Sequence, residues 1–168
     1  MATLINYVEY FTDVLFAYPI LRSVKMQLEA GSDSIYLYQY SFVDENRPLP
    51  YSVYGADHCA QSLAISRSIY VDDKAKVSEA YEYVKELMAE LWINFIVTGK
   101  PVPEEHEEFP SGWPAISLED QVYIDMAGTP ELKKDLLKKR ADFWDTIYDA
   151  YYRKPLSPSE PIVKHSEL

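Results

Sequence analysis

His58 is the residue whose type and setting best suit proton transfer near neutral pH. It ends the stretch Tyr54-Gly55-Ala56-Asp57-His58, after a loop carrying Asn46, Pro48 and Pro50. An unperturbed imidazole titrates close to neutrality, so it can take a proton from a nucleophile and hand it to a leaving group. The ordinary alternative is a histidine hydrogen-bonded to loop backbone, and Gly-x-x-His alone does not separate the two. A second chemistry is conceivable at His106, inside the acidic run Glu104-Glu105-His106-Glu107-Glu108. Imidazole and carboxylate can ligate metals, but no second cluster accompanies them. A solvated loop is the default there, and no metal or other cofactor is expected. Nucleophilic catalysis by serine needs a sharp Gly-x-Ser-x-Gly turn. None occurs in the chain, and Gly31-Ser32-Asp33-Ser34 does not fit.

The element that must position His58 is the run before it. Ile35-Tyr36-Leu37-Tyr38-Gln39-Tyr40-Ser41-Phe42-Val43 is nearly all β-branched, aromatic or aliphatic. Such a run predicts a strand buried on both faces, inside a parallel sheet flanked by helices. In open α/β sheets, chemistry collects in loops at the carboxyl ends of strands. Upstream, Leu4, Val8, Phe11, Leu15 and Tyr18 repeat at helical spacing, with Thr3 as a cap or a fresh start at Thr12-Asp13. Pro19 is expected to interrupt, and Ile20, Val24 and Leu28 mark a helix that Gly31 closes. Residues 59–70 have a mixed pattern. Asp72-Asp73 is expected to open the clearest helix, with Val77, Tyr81, Val84, Met88, Leu91 and Phe95 as its stripe and Gly99 as its end. Residues 122–126 read as a short strand. Thr129-Pro130-Glu131 has the cap, proline and acid of a helix start, predicting a helix that runs toward Pro155.

Sixteen basic against twenty-seven acidic residues give a net charge of -11. That surface repels phosphate backbones, so nucleic acid is an unlikely partner. No apolar run reaches membrane-spanning length. Cys59 is the single cysteine and cannot form an internal disulfide.

The residues around His58 also resemble those around the catalytic histidine of type-B carboxylesterases, the carboxylesterase/cholinesterase family. The resemblance rests on Tyr36-Leu37-Tyr38-Gln39-Tyr40 followed by Gly55-Ala56-Asp57-His58. It continues in Leu91-Trp92-Ile93-Asn94-Phe95-Ile96-Val97-Thr98-Gly99-Lys100-Pro101, Trp113-Pro114, Tyr123-Ile124-Asp125-Met126 and Phe143-Trp144-Asp145-Thr146-Ile147-Tyr148. These stand in the family's order and at about its spacing. The resemblance implies the carboxyl-terminal part of an α/β-hydrolase fold: the last sheet strands with their packing helices, incomplete as given, over residues 1–154. It implies His58 as general base of a Ser-Glu/Asp-His triad acting on a small-molecule carboxylic ester. In this fold the chain order is serine, acid, histidine, which places the other two before Met1. Glu9, Asp13, Asp33 and Asp57 are the local carboxylates that could stand in for the acid.

Without a nucleophile the chain alone is expected to be inactive, and to need the upstream part of the hydrolase for stability. One departure from the family pattern follows His58, where Ala60, Gln61 and Ser62 stand in place of the usual acids. It favours, mildly, a rival reading: a non-catalytic esterase-like binding or adhesion protein. An inactive truncated product is the third. Residues 155–168 read as a flexible proline-rich tail ending His165-Ser166-Glu167-Leu168, which resembles an endoplasmic-reticulum retrieval address. No signal peptide opens the chain, although such an address requires one.

Overall fold

The computed structural model describes residues 2–46, 55–65, 77–103 and 105–152. Two compact units divide the chain, one through Leu136 and one from Leu137 onward.

The first unit begins with a helical run from Ala2 to Glu29. It comprises α1 (Ala2–Thr12), a π-helical turn (Asp13–Ala17) and α2 (Tyr18–Glu29). Pro19 therefore does not interrupt the helix, contrary to expectation. A proline has no N–H and its ring clashes with the carbonyl four residues back, which here belongs to Leu15. The chain accommodates this by widening: the Tyr18 N–H bonds to Asp13 O, five residues back, just before the proline. Thr3 lies inside α1, and Thr12 has helical dihedrals without a capping bond, so neither acts as a cap. Gly31 closes α2 as expected. Its φ of +92° lets Ser32 N–H reach Gln27 O and Gly31 N–H reach Leu28 O, both at 3.0 Å.

The sheet has three strands in the order β1 (Tyr38–Tyr40), β2 (Val122–Met126) and β3 (Pro130–Lys134). β1 and β2 are parallel, with Tyr38 opposite Ile124 and Tyr40 opposite Met126. Backbone bonding extends beyond β1 itself: Ile35 O accepts from Ile116 N–H, Leu37 O from Ile124 N–H, and Ser41 N–H donates to Met126 O. Between the parallel strands run α3 (Ala60–Ile65) and α4 (Glu79–Thr98), the helical crossover that parallel pairing requires.

The strand expected over residues 35–43 shortens to Tyr38–Tyr40, half-buried and at the edge of a mixed sheet, with Val43 exposed. Side chains nonetheless pack on both faces of the run. Tyr36, Tyr38, Tyr40 and Phe42 pack with Val84, Leu87, Met88 and Leu91 of α4 and with Phe109 and Trp113. Ile35 and Leu37 pack on the other side with Val24 and Leu28 of α2. Met88, Ile124, Met126 and Val84 are the largest side chains shut away from solvent. Trp113 stacks on Phe109 and stands edge-on to Tyr36 and Tyr38. Among the described residues its buried indole N–H has no hydrogen-bond partner.

α4 starts at Glu79 rather than near Asp73; Asp72 and Asp73 lie outside the described residues. Ser78, extended at ψ 160°, caps it by accepting from Tyr81 N–H at 3.1 Å. Gly99, at φ +78°, ends it as expected, with its N–H on Phe95 O. Phe95, placed in the buried stripe by sequence, is 42% exposed, and Leu87 takes the inward position.

The helix expected from Thr129 does not begin there. Residues Pro130–Lys134 form β3, antiparallel to β2, with Pro130 in the terminal pair where a missing N–H is tolerated. Asp125 and Glu131 face each other across the pair, and Lys133 bridges them at 2.6 and 3.0 Å. Two like charges directly opposed would destabilise the pair; the ammonium between them reverses that. Asp135 N–H adds a bond to Gln121 O.

The second unit opens at Leu137, in the left-handed region, and forms α5 (Lys138–Tyr151). Lys138 pairs with Asp142 one turn on, and Tyr148 stacks on Tyr152. The tail from residue 155, with His165 to Leu168, lies outside the described residues.

Candidate active-site histidine

The chain leaves β1, and Phe42 and Asp44 are buried just beyond it. Asp44 accepts from the N–H of Asn46 at 3.0 Å and from that of Ser78 at 3.4 Å. One carboxylate thus ties the post-strand loop to the start of α4. Gly55, at φ +102°, opens the turn that carries His58. Asp57 O accepts from Ala60 N–H and Cys59 O from Leu63 N–H, both at 3.1 Å. Cys59 takes φ +66°, so His58 is held between two left-handed residues and thrown outward at the mouth of α3.

The imidazole is exposed, and its ring lies 4.6 Å from that of Phe16, on the π-helical turn. Asp13 is buried within its own helical turn, and Asp33 accepts from Ser34. His58 thus stands beyond β1, at the mouth of α3, with the Phe16 ring beside it.

A recess of about 100 Å³ lies beside this turn, lined by Tyr40, Phe42, Asp44, Gly55, Leu63 and Tyr81 among others. Burial, with Tyr81 and Asp44 nearby, pushes the Tyr40 hydroxyl up to about 12, so it is a neutral donor at ordinary pH. A larger cavity of about 230 Å³ lies between β1 and α4, walled by Tyr36, Tyr38, Trp92, Phe95 and Trp113. Its lining is apolar apart from hydroxyl and indole groups, so it offers no acid or base for chemistry.

His106 has ordinary partners. Its Nδ1 accepts from the Glu108 N–H at 3.1 Å, and its Nε2 faces Glu90 at 3.4 Å. Among the described residues no group of His, Cys, Asp and Glu is arranged to hold a metal.

Sequence reasoning missed two contacts. Asp44 as a loop clasp carries no periodic signal. The Tyr38 hydroxyl donates to Gln61 Oε1 at 3.4 Å across 23 positions, a pairing that only the strand–helix geometry creates.

A parallel strand pair with a helical crossover and helices on both faces is an α/β arrangement. The carboxylesterase-family model matches residues 2–144, and the chain belongs to that family. Among solved structures it is similar to juvenile hormone esterase from Manduca sexta (22% identity, TM-score 0.68), covering 85% of this chain and 28% of that one. It is also similar to the Geobacillus stearothermophilus carboxylesterase EST55 (20%, TM-score 0.63; 82% of this chain and 27% of that one). A third likeness is to an esterase from Clostridium hathewayi that can hydrolyse aliphatic aromatic polyesters (17%, TM-score 0.59; 80% and 25%). No curated protein matches. The chain spans little more than a quarter of the length of these esterases.

Proposed function

We propose that this chain is the carboxyl-terminal portion of a carboxylic-ester hydrolase and that His58 is its general base. The observation that carries the proposal is the placement of His58 beyond the carboxyl end of β1, in a chain of the carboxylesterase family. In the complete enzyme a serine attacks the ester carbonyl, and His58 takes its proton. His58 then returns that proton to the departing alcohol, while an acidic residue holds the imidazole's tautomer. Serine and acid come from hydrolase sequence outside this chain.

Exposed apolar side chains support the need for such a partner. Leu4, Tyr7, Phe11 and Ile20 on the first helical run, and Ile93, Ile96 and Val97 on α4, face solvent. The retrieval-like ending at residues 165–168 extends the proposal to the lumen of the endoplasmic reticulum.

The rival reading, a non-catalytic esterase-like binding protein, is favoured by Ala60, Gln61 and Ser62 in place of acids. An antibody to the tail, residues 155–168, tests both on native source material. The expected result is a species well above 19.4 kDa that hydrolyses p-nitrophenyl acetate and loses that activity in His58→Ala. A sole species of 19.4 kDa overturns the proposal, as does a larger one indifferent to His58.

A further inference from the structure

We propose that the Tyr38–Gln61 hydrogen bond is a strut that positions the turn carrying His58, which makes Tyr38 and Gln61 positioning residues. The functional consequence rests on His58 being the general base; the strut itself does not.

α3 has only six residues, far too few to be stable by its own backbone bonds. Its inner side is anchored by Ala64, which is 2% exposed. Its first turn is tied to the His58 turn through Ala60 N–H to Asp57 O and Leu63 N–H to Cys59 O. Those bonds couple the two pieces to each other, and Ile65, packed against the main core, seats the far end of α3. The Tyr38 hydroxyl adds a tie at the near end by reaching the exposed Gln61 Oε1 at 3.4 Å, three residues beyond His58.

The donor end is rigid. Tyr38 lies in β1 opposite Ile124, and its ring stands at 90° to that of Trp113, 6.0 Å away. Burial raises its hydroxyl pKa, against a smaller opposing contribution from Trp92, so the group keeps its proton and can donate. The acceptor end explains the departure noted after His58. A carboxamide oxygen accepts the same hydrogen bond as a carboxylate would. On this account Gln61 is a working substitute rather than a lost constraint.

Hydrogen exchange of the full chain, with the ring contact between His58 and Phe16 followed by NMR, tests the strut without any catalytic readout. Tyr38→Phe keeps the ring that packs against Trp113 and removes only the donor. Gln61→Leu removes the acceptor, and Gln61→Glu keeps one. Loss of the bond is expected to speed exchange over residues 60–65 by roughly three- to tenfold, the range for one ordinary hydrogen bond. It should also weaken the Phe16–His58 contact while leaving exchange in the middle of α4 unchanged. Gln61→Glu should stay at the wild-type rate, and Tyr38→Phe with Gln61→Leu should be no faster than either alone. Unchanged exchange in both single variants overturns the strut, and so does Gln61→Glu behaving like Gln61→Leu. If exchange responds as stated while His58→Ala spares hydrolysis in the native enzyme, the strut stands and the catalytic reading falls.

Discussion

Tyr40 builds an alkaline weakness into the carboxyl end of β1. Its hydroxyl pKa rises from 10.0 to about 12, chiefly through burial and further through Tyr81 and Asp44. In the unfolded chain the same group ionises at its ordinary value. Between the two values the folded state keeps a proton that the unfolded state has lost, so raising the pH favours unfolding. The contribution is whole below pH 10 and is lost as the pH climbs through about 12. Two pH units at about 1.4 kcal/mol each bound the effect at about 3 kcal/mol, and because Tyr40 is only half-buried, solvent screening brings the expected loss to about 1 kcal/mol. Urea midpoints, followed by circular dichroism at constant ionic strength, should fall through this window. Tyr40→Phe removes the titrating hydroxyl but keeps the ring beside Phe42, so its midpoints should fall less steeply. Tyr83 is also pushed up to about 12, by burial and by its bond to Glu108. At 36% exposed it should add a smaller slope, measured with Tyr83→Phe. Identical slopes for wild type and Tyr40→Phe would refute the reasoning.

His58→Ala should change urea unfolding by less than about 0.5 kcal/mol and, if His58 is the general base as proposed, should abolish ester hydrolysis by the native enzyme. Ser78→Ala should cost about 1 kcal/mol by freeing the Tyr81 N–H, read as a lower urea midpoint. Met88→Ala empties a site that is 1% exposed in the main core and should cost about 2–5 kcal/mol in the same assay. Gly99→Ala meets no neighbouring atom, yet φ +78° should make it cost about 1 kcal/mol in thermal unfolding.

What could be read from the sequence, and what could not, divides along physical lines. The aromatic run before His58 was legible as sheet because its composition is a local property, but its length and full burial were not, since only Tyr38–Tyr40 pairs as β1 and stays half-buried. Gly31 and Gly99 were legible because left-handed closure of a helix selects glycine on the spot. Pro19 misled because the remedy for a proline inside a helix is a wider backbone turn, which leaves no mark on side-chain spacing. Thr129-Pro130-Glu131 misled more deeply. Its signature is a helix start taken alone, but Lys133 meets Asp125 and the β2 edge is waiting, so tertiary pairing decides. Among the residues that carry the family resemblance, Trp92, Ile93, Phe95, Ile96 and Val97 are exposed, whereas Leu91, Trp113, Tyr123, Ile124 and Met126 are buried. The buried ones establish the fold because close packing punishes change at each of them. His58 is different, being exposed and held through its backbone and its neighbours. Its identity is under no packing constraint, so only chemistry, or the absence of it, can decide what stands there. Fold and activity are therefore separable in this chain. A variant that keeps the core and loses hydrolysis at His58 reports on chemistry alone, whereas one that melts the sheet reports on nothing but the scaffold.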